Sequence, residues 1–104
     1  MIVRISRGRF DPAKGDIVAA TLESAQTPLL PAIQQLPGLR HYYAGIERTS
    51  AIIVNVSIWD SLEHAQQMST LAPMLALREQ FTALGVDFDP IVNYETLWQI
   101  DPAG

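Results

Sequence analysis

The spacing of apolar positions changes several times along this chain, and each change marks an element. Residues 2–7, IVRISR, alternate and are β-branched, which predicts a first strand. GRFDPAKGD follows as a loop or helical turn, with Gly8, Pro12 and Gly15 as breakers. From 16 to 36 the apolar residues Val18, Leu22, Ala25, Leu29, Ile33 and Leu36 form one stripe of helical period. Pro28 and Pro31 lie inside it, and an interior proline removes a hydrogen bond and clashes with the preceding turn. The helix is therefore expected to kink there, or to restart with Thr27 as N-cap and Pro28 at the first helical position. Residues 39–47 and 51–59 read as two strands joined through RTSA as a hairpin. Asp60, with Glu63 three residues on, is expected to cap a helix over about 61–70. Pro73 opens a helical piece over 73–84, with Leu77, Phe81 and Leu84 inward and Gly85 as its stop. VDFDP reads as a loop and residues 91–100, IVNYETLWQI, as the fourth strand.

The order strand, helix, strand, strand, helix, strand is the split βαβ, ferredoxin-like arrangement, an α+β fold. It predicts one domain over residues 1–104: a four-stranded antiparallel sheet with its helices on one face and the other face uncovered. Strand side chains alternate, so each strand divides into two sides. In the third strand Ile52, Val54, Val56 and Ile58 are wholly apolar and are expected under the helices. The opposite side carries Ile53, Asn55, Ser57 and Trp59. The mixed second sides of the other strands, such as Arg4 and Ser6 of the first, match it. Such a side is expected to be buried yet to hold a polar site, and a second subunit packed sheet to sheet would cover it.

Composition agrees with a covered face. The chain is 48% hydrophobic with a mean hydropathy of +0.12, rich for a molecule of 104 residues with much surface for its volume. A homodimer is the expected assembly. A net charge of −4 and a pI near 4.9, with no basic run beyond Arg4, Arg7 and Arg9, argue against a nucleic-acid partner. There is no cysteine, so disulfides and thiolate metal sites are excluded and the cytoplasm is the default compartment. No run approaches a membrane span and the first residues do not form a signal peptide, so no membrane partner is expected.

The candidate chemistry gathers on the polar side of the third strand. Asn55 is either an amide bonded to a neighbouring loop or a pocket amide that holds a substrate carbonyl or a phenolate-like anion. Trp59 reads as pocket wall or core, two roles that are compatible. His41 and Tyr43 share one side of the second strand, and the hairpin register decides whether they meet Asn55. A loop of two or four residues brings Tyr42 and Ala44 alongside; an odd loop brings His41 and Tyr43. Tyr42, Ala44 and Ile46 suit the helix side better, which favours His41 in the pocket, as the side chain able to move a proton near neutral pH. Arg4 and Glu95 are expected on neighbouring strands, either as a buried pair or as an anchor for an acidic substrate. Ser57 and Tyr43 complete the substrate-binding set. His64 reads as a surface or capping residue, Met68 and Met74 as core. With two histidines at no ligand-like spacing, a metal site is not expected.

DPAK before the first helix, LPGL into the second strand and NVSIWDSLEHAQQM along and after the third resemble the antibiotic biosynthesis monooxygenase family of dimeric α+β barrels. The resemblance covers nearly the whole chain and implies a ferredoxin-like subunit in a homodimeric barrel. In the cofactor-free, quinone-forming members an Asn and a Trp four residues apart on the third strand line the pocket, and Asn55 and Trp59 match that spacing. The aromatic hydroxyl that such members carry on the following helix is absent, with Ala65 nearest. Where haem-degrading relatives carry a His, this chain has Ser69, which disfavours haem. The resemblance thus implies oxidation of a small aromatic or polyketide-like compound by O2 with no cofactor, through Asn55 and Trp59, and the reading of the second strand adds His41 as the group that takes the substrate proton. Two other readings use the same barrel: a non-oxidative isomerase or cyclase with His41 as base, and a non-enzymatic dimer that binds a small ligand.

Overall fold

The computed structural model describes residues 1–104. Strand β1 (Ile2–Arg9) leads through a 3-10 turn (Pro12–Lys14) into helix α1 (Gly15–Gln34). Asp11 caps that turn by accepting the Ala13 N–H at 2.9 Å. Strands β2 (Leu39–Glu47) and β3 (Ile52–Trp59) form a hairpin, followed by a short helix α2 (Leu62–Ala65), a 3-10 segment (Gln66–Thr70) and helix α3 (Ala72–Ala83). Strands β4 (Asp87–Phe88) and β5 (Val92–Glu95) close the chain. The sheet is antiparallel and open, in the order β2-β3-β1, with β4 and β5 both on the far edge of β1. This is the expected ferredoxin-like α+β subunit, with five strands in place of four.

Four local departures have physical reasons. Helix α1 runs unbroken through Pro28 and Pro31. Both prolines are exposed, as are Ser24 and Thr27, whose carbonyls lose their partners, while Val18, Ala25, Leu29 and Ile33 hold the buried side to the sheet. The last strand is split because Pro90 has no N–H to give the ladder: β4 pairs with Gly8 and Arg9, β5 with Ile2 to Ile5, and the Asp89 N–H reaches the Arg7 carbonyl between them at 2.9 Å. Ser61, not Asp60, caps α2, accepting the His64 N–H at 3.2 Å; Asp60 instead binds the Arg40 guanidinium at 2.6 Å. The helix expected over 61–70 tightens to 3-10 at Gln66, which keeps Ala65 and Met68, three residues apart, on one buried side.

The larger correction concerns the two sides of the sheet. The helices cover the side of Ile53, Asn55, Ser57 and Trp59, not that of Val54, Val56 and Ile58. Ile53, Ser57 and Trp59 are buried, as are Arg4 and Ser6, which lie opposite Ser57 and Asn55 on β1. The open side is the apolar one. It carries Val3 and Ile5, Val54, Val56 and Ile58, and the exposed Tyr43, Val92 and Tyr94. On β3 the uniformly apolar side is therefore the one without helices, a face it shares with Arg7 of β1 and His41 of β2, and the mixed side is the one that α1 and α3 enclose. The core beneath the helices joins Val18, Ala25, Leu29 and Ile33 to Ile53, Trp59, Met68, Leu77 and Phe81.

Candidate functional site

A cavity of about 260 Å³ lies between the sheet and the helices. Its floor is the polar stretch of the sheet: Arg4 and Ser6 of β1, Asn55 of β3 and Tyr42 of β2. The pairing Ser6↔Asn55 and Arg4↔Ser57 makes the floor a contiguous patch on one side of three strands. Leu22 of α1, Met68 and Ser69 of the 3-10 segment, and Met74, Leu77, Arg78 and Phe81 of α3 form the walls and roof, with Phe88 and Ile91 at the rim. Met74, Arg78 and Phe81 stand at steps of four and three, so α3 presents them on one face.

The electrostatics of this space are one-sided. Arg4 is 5% exposed, yet the chain's three ion pairs belong to Arg9, Arg40 and Arg48. Burial, reinforced by the neighbouring Arg78 charge, depresses the Arg4 pKa below the usual guanidinium value. Burial also pushes the Tyr42 hydroxyl up to about 12, and the Arg4 charge offsets only part of that. Arg78 reaches over the Phe88 ring, 4.5 Å from its centroid, at the edge of the cavity. No Asp, Glu or His lines the space, and nowhere in the chain do three such residues gather where a metal could be held. The cavity can therefore bind and polarise an oxygen atom through Asn55, Ser6, Tyr42 and two guanidinium groups, around an apolar body.

The residues singled out from the sequence divide across this geometry. Asn55 and Arg4 meet in the cavity. Ser57 and Trp59 lie on the same side of β3 but are fully buried outside its lining, where the Trp59 indole N–H donates to Ser57 Oγ at 2.8 Å. His41 and Tyr43 do not face Asn55. The hairpin closes between Glu47 and Ile52 over the loop 48–51, so Tyr42 and Ala44 stand opposite Ser57 and Asn55. His41 and Tyr43 instead stack on the open side, ring centroids 6.1 Å apart at 22°. The even loop, not the apolar content of β2, decides the register. Arg4 does not pair with Glu95: it faces Asn93 across the ladder, and the exposed Glu95 faces Ile2. His64 lies in the turn that Ser61 caps, its Nδ1 3.0 Å from Ser61 Oγ and its ring packed on Gly38. Met68 and Met74 pack with the core and also line the cavity.

Sequence reasoning passed over Arg78 and the lining role of Ser69, held Tyr42 only as the even-loop alternative to His41, and placed Ser6 on the mixed side of β1 without a role. Arg78 had a signal, a cation at helical spacing between the apolar Met74 and Phe81. Tyr42 and Ser6 had one only through the register.

No family model matches the chain, and no curated protein does. Solved structures do. A Deinococcus radiodurans protein assigned to the antibiotic biosynthesis monooxygenases superposes with a TM-score of 0.74 over 100% of both chains, at 19% identity. The chain has the fold of the antibiotic biosynthesis monooxygenases. SnoaB, a cofactor-independent oxygenase from Streptomyces nogalater, matches with a TM-score of 0.68 at 14% identity, over 97% of each chain. HapK from Hahella chejuensis matches with a TM-score of 0.72 at 16% identity, over 100% of each. The antibiotic biosynthesis monooxygenase fold thus extends over the entire chain, β1 to the C-terminal residues, and the resemblance carried by LPGL and NVSIWDSLEHAQQM holds for the fold. No helix of this chain is long and apolar enough to cross a membrane.

Proposed function

We propose that the cavity is the substrate site of a cofactor-independent monooxygenase acting on a small aromatic or polyketide-like compound. The observation that carries this reading is the combination of an apolar cavity with Asn55 and two guanidinium groups on its walls and no side-chain base inside it. The substrate is then a carbon acid whose enolate or phenolate the cavity stabilises, with water taking the proton. The carbanion gives one electron to O2, the resulting radical and superoxide join through a carbon–oxygen bond, and the hydroperoxide loses water to leave a ketone. One oxygen atom ends in the product and the other in water, and the CH2 carbon supplies all the electrons. Asn55 holds the substrate oxygen. Trp59 acts as a rigid support behind the floor. The fold shared with SnoaB, an oxygenase named as cofactor-independent, supports the reading.

The working form in this proposal is a homodimer, joined through the open side of Val3, Ile5, Val54, Val56 and Ile58 and the exposed Val92 and Tyr94. The test of activity is O2 uptake with a panel of anthrones, quinols and phenols. A panel member consumed with one O2 per product, and lost in Asn55→Ala, supports the reading. A panel that is untouched, or turnover that persists in Asn55→Ala, overturns it.

A further inference from the structure

Arg4 is a charge without a counter-charge. It is 5% exposed, at the centre of β1, with a strand on each side. The chain carries 11 acidic residues against 7 basic ones, so a carboxylate partner was freely available in composition. None is placed there: no side chain is hydrogen-bonded or ion-paired to Arg4, and the charged group that acts most on it is another cation, Arg78. A guanidinium held on the cavity floor beside a like charge, with no counter-ion, is unfavourable, and an anion bound in the cavity relieves it. The guanidinium is planar and presents a fork of donors matched to an oxyanion. Ser6 and Asn55, on the floor beside it, add polar groups, whereas Leu22, Met74, Leu77 and Phe81 opposite offer only apolar surface.

The geometry points to an anion subsite in the cavity: Arg4 binds an oxyanion carried on an apolar ring system, with Arg78 as a second cation at the mouth. The ligand class is an aromatic acid, ionised as a carboxylate or as an acidic enol or phenol. It lies with its oxyanion on the sheet and its rings between α1 and α3. This deepens the substrate-site reading and rests on it for the reaction alone, since anion binding is measurable without turnover.

The experiment compares two probes of one shape, 2-naphthoate and the neutral 2-naphthamide, by calorimetry on the full chain. Wild type binds the naphthoate about 10-fold more tightly or better, and the preference shrinks with added salt. Arg4→Gln removes the preference; Arg4→Lys, which keeps the charge and loses the fork, retains part of it. A third probe, 4-nitrophenol, separates the two sources of oxyanion. Its bound form turns phenolate-yellow below its solution pKa if the subsite ionises enols and phenols; if only the naphthoate responds, the subsite is one for carboxylates. Equal binding of naphthoate and naphthamide to wild type, or a preference unchanged in Arg4→Gln, overturns the proposal. Thermal melting without ligand gives an independent check. Arg4→Gln melts at or above the wild-type temperature if Arg4 is an unpaired ligand group. A variant that melts lower or fails to fold shows Arg4 to be structural and overturns the proposal as well.

Discussion

The indole N–H of Trp59 donates to the hydroxyl of Ser57, two residues earlier on the same side of β3, at 2.8 Å, and neither side chain has any accessible surface. The polar end of a fully buried tryptophan is thus satisfied from within its own strand. Ser57→Ala leaves that donor without a partner, at a cost of about 1–3 kcal/mol. Urea melts read by tryptophan emission check this, in a Trp98→Phe background so that Trp59 alone reports. An unchanged midpoint would contradict it.

Tyr42 makes stability fall at high pH. Its folded pKa of about 12 lies above the ordinary value of 10.0, so the folded state holds the phenol proton more tightly than the unfolded chain. The contribution is complete below pH 10 and is lost as pH rises through 12, amounting to on the order of 2 kcal/mol. Denaturant melts from pH 8 upward should show wild type losing stability more steeply than Tyr42→Phe. Parallel curves would place the Tyr42 hydroxyl in water.

Glu47 produces the opposite dependence at the acid end. Its carboxylate accepts from the Thr49 and Ser50 backbone N–H groups and from the Ser50 hydroxyl, which bonds hold its pKa down to about 2. The contribution to the β2–β3 loop is present above the ordinary carboxylate value of 4.5 and is lost as pH falls through 2. Amide proton shifts of Thr49 and Ser50 should follow that titration and lose it in Glu47→Gln.

Gly38 holds the approach to β2 in a conformation with φ +80, and a Cβ there would lie 2.3 Å from the His64 ring. Gly38→Ala is expected to destabilise by more than about 1 kcal/mol, through backbone strain and the clash together. Adding His64→Ala should recover the part of the clash due to the ring, the Cβ at 2.8 Å remaining. A double mutant as unstable as the single would assign the effect to the backbone and that remaining Cβ contact.

Val56→Lys places a charge in the middle of the open apolar side while leaving the cavity side untouched. Light scattering should show wild type at twice the 11.5 kDa chain mass and the variant at the chain mass. A variant that stays dimeric would move the subunit contact elsewhere, with the exposed Leu97, Trp98 and Ile100 of the C-terminal segment next to be replaced.

The order of elements was legible in the apolar periods because each long element repeats its period often enough to stand out. Helix α1 carries its stripe from Val18 to Ile33 despite two prolines. The short pieces were not: β4 consists of Asp87 and Phe88, too few for a pattern, and its position depends on Gly8 letting Val86 and Phe88 approach β1. The site was half legible. Alternation put Arg4 and Asn55 each on the mixed side of its strand, but which side the helices would choose depended on packing that no single strand encodes. A row of Val and Ile fits a helix-covered core and an open apolar face equally well. His41 was misplaced for a related reason: one residue of loop length outweighs any preference among Tyr42, Ala44 and Ile46.

Because β3 is one backbone thick, Asn55 and Val56 share a peptide bond and yet face different compartments, the cavity on one side and the open face on the other. On the helix side of this strand Ile53 and Asn55 answer to a ligand while Ser57 and Trp59 answer to the core; Val56 and Ile58 answer to whatever meets the outer surface. Each set is free to change without consulting the other. A library that varies only residues 53 and 55 would redraw the chamber while leaving the exterior as it stands.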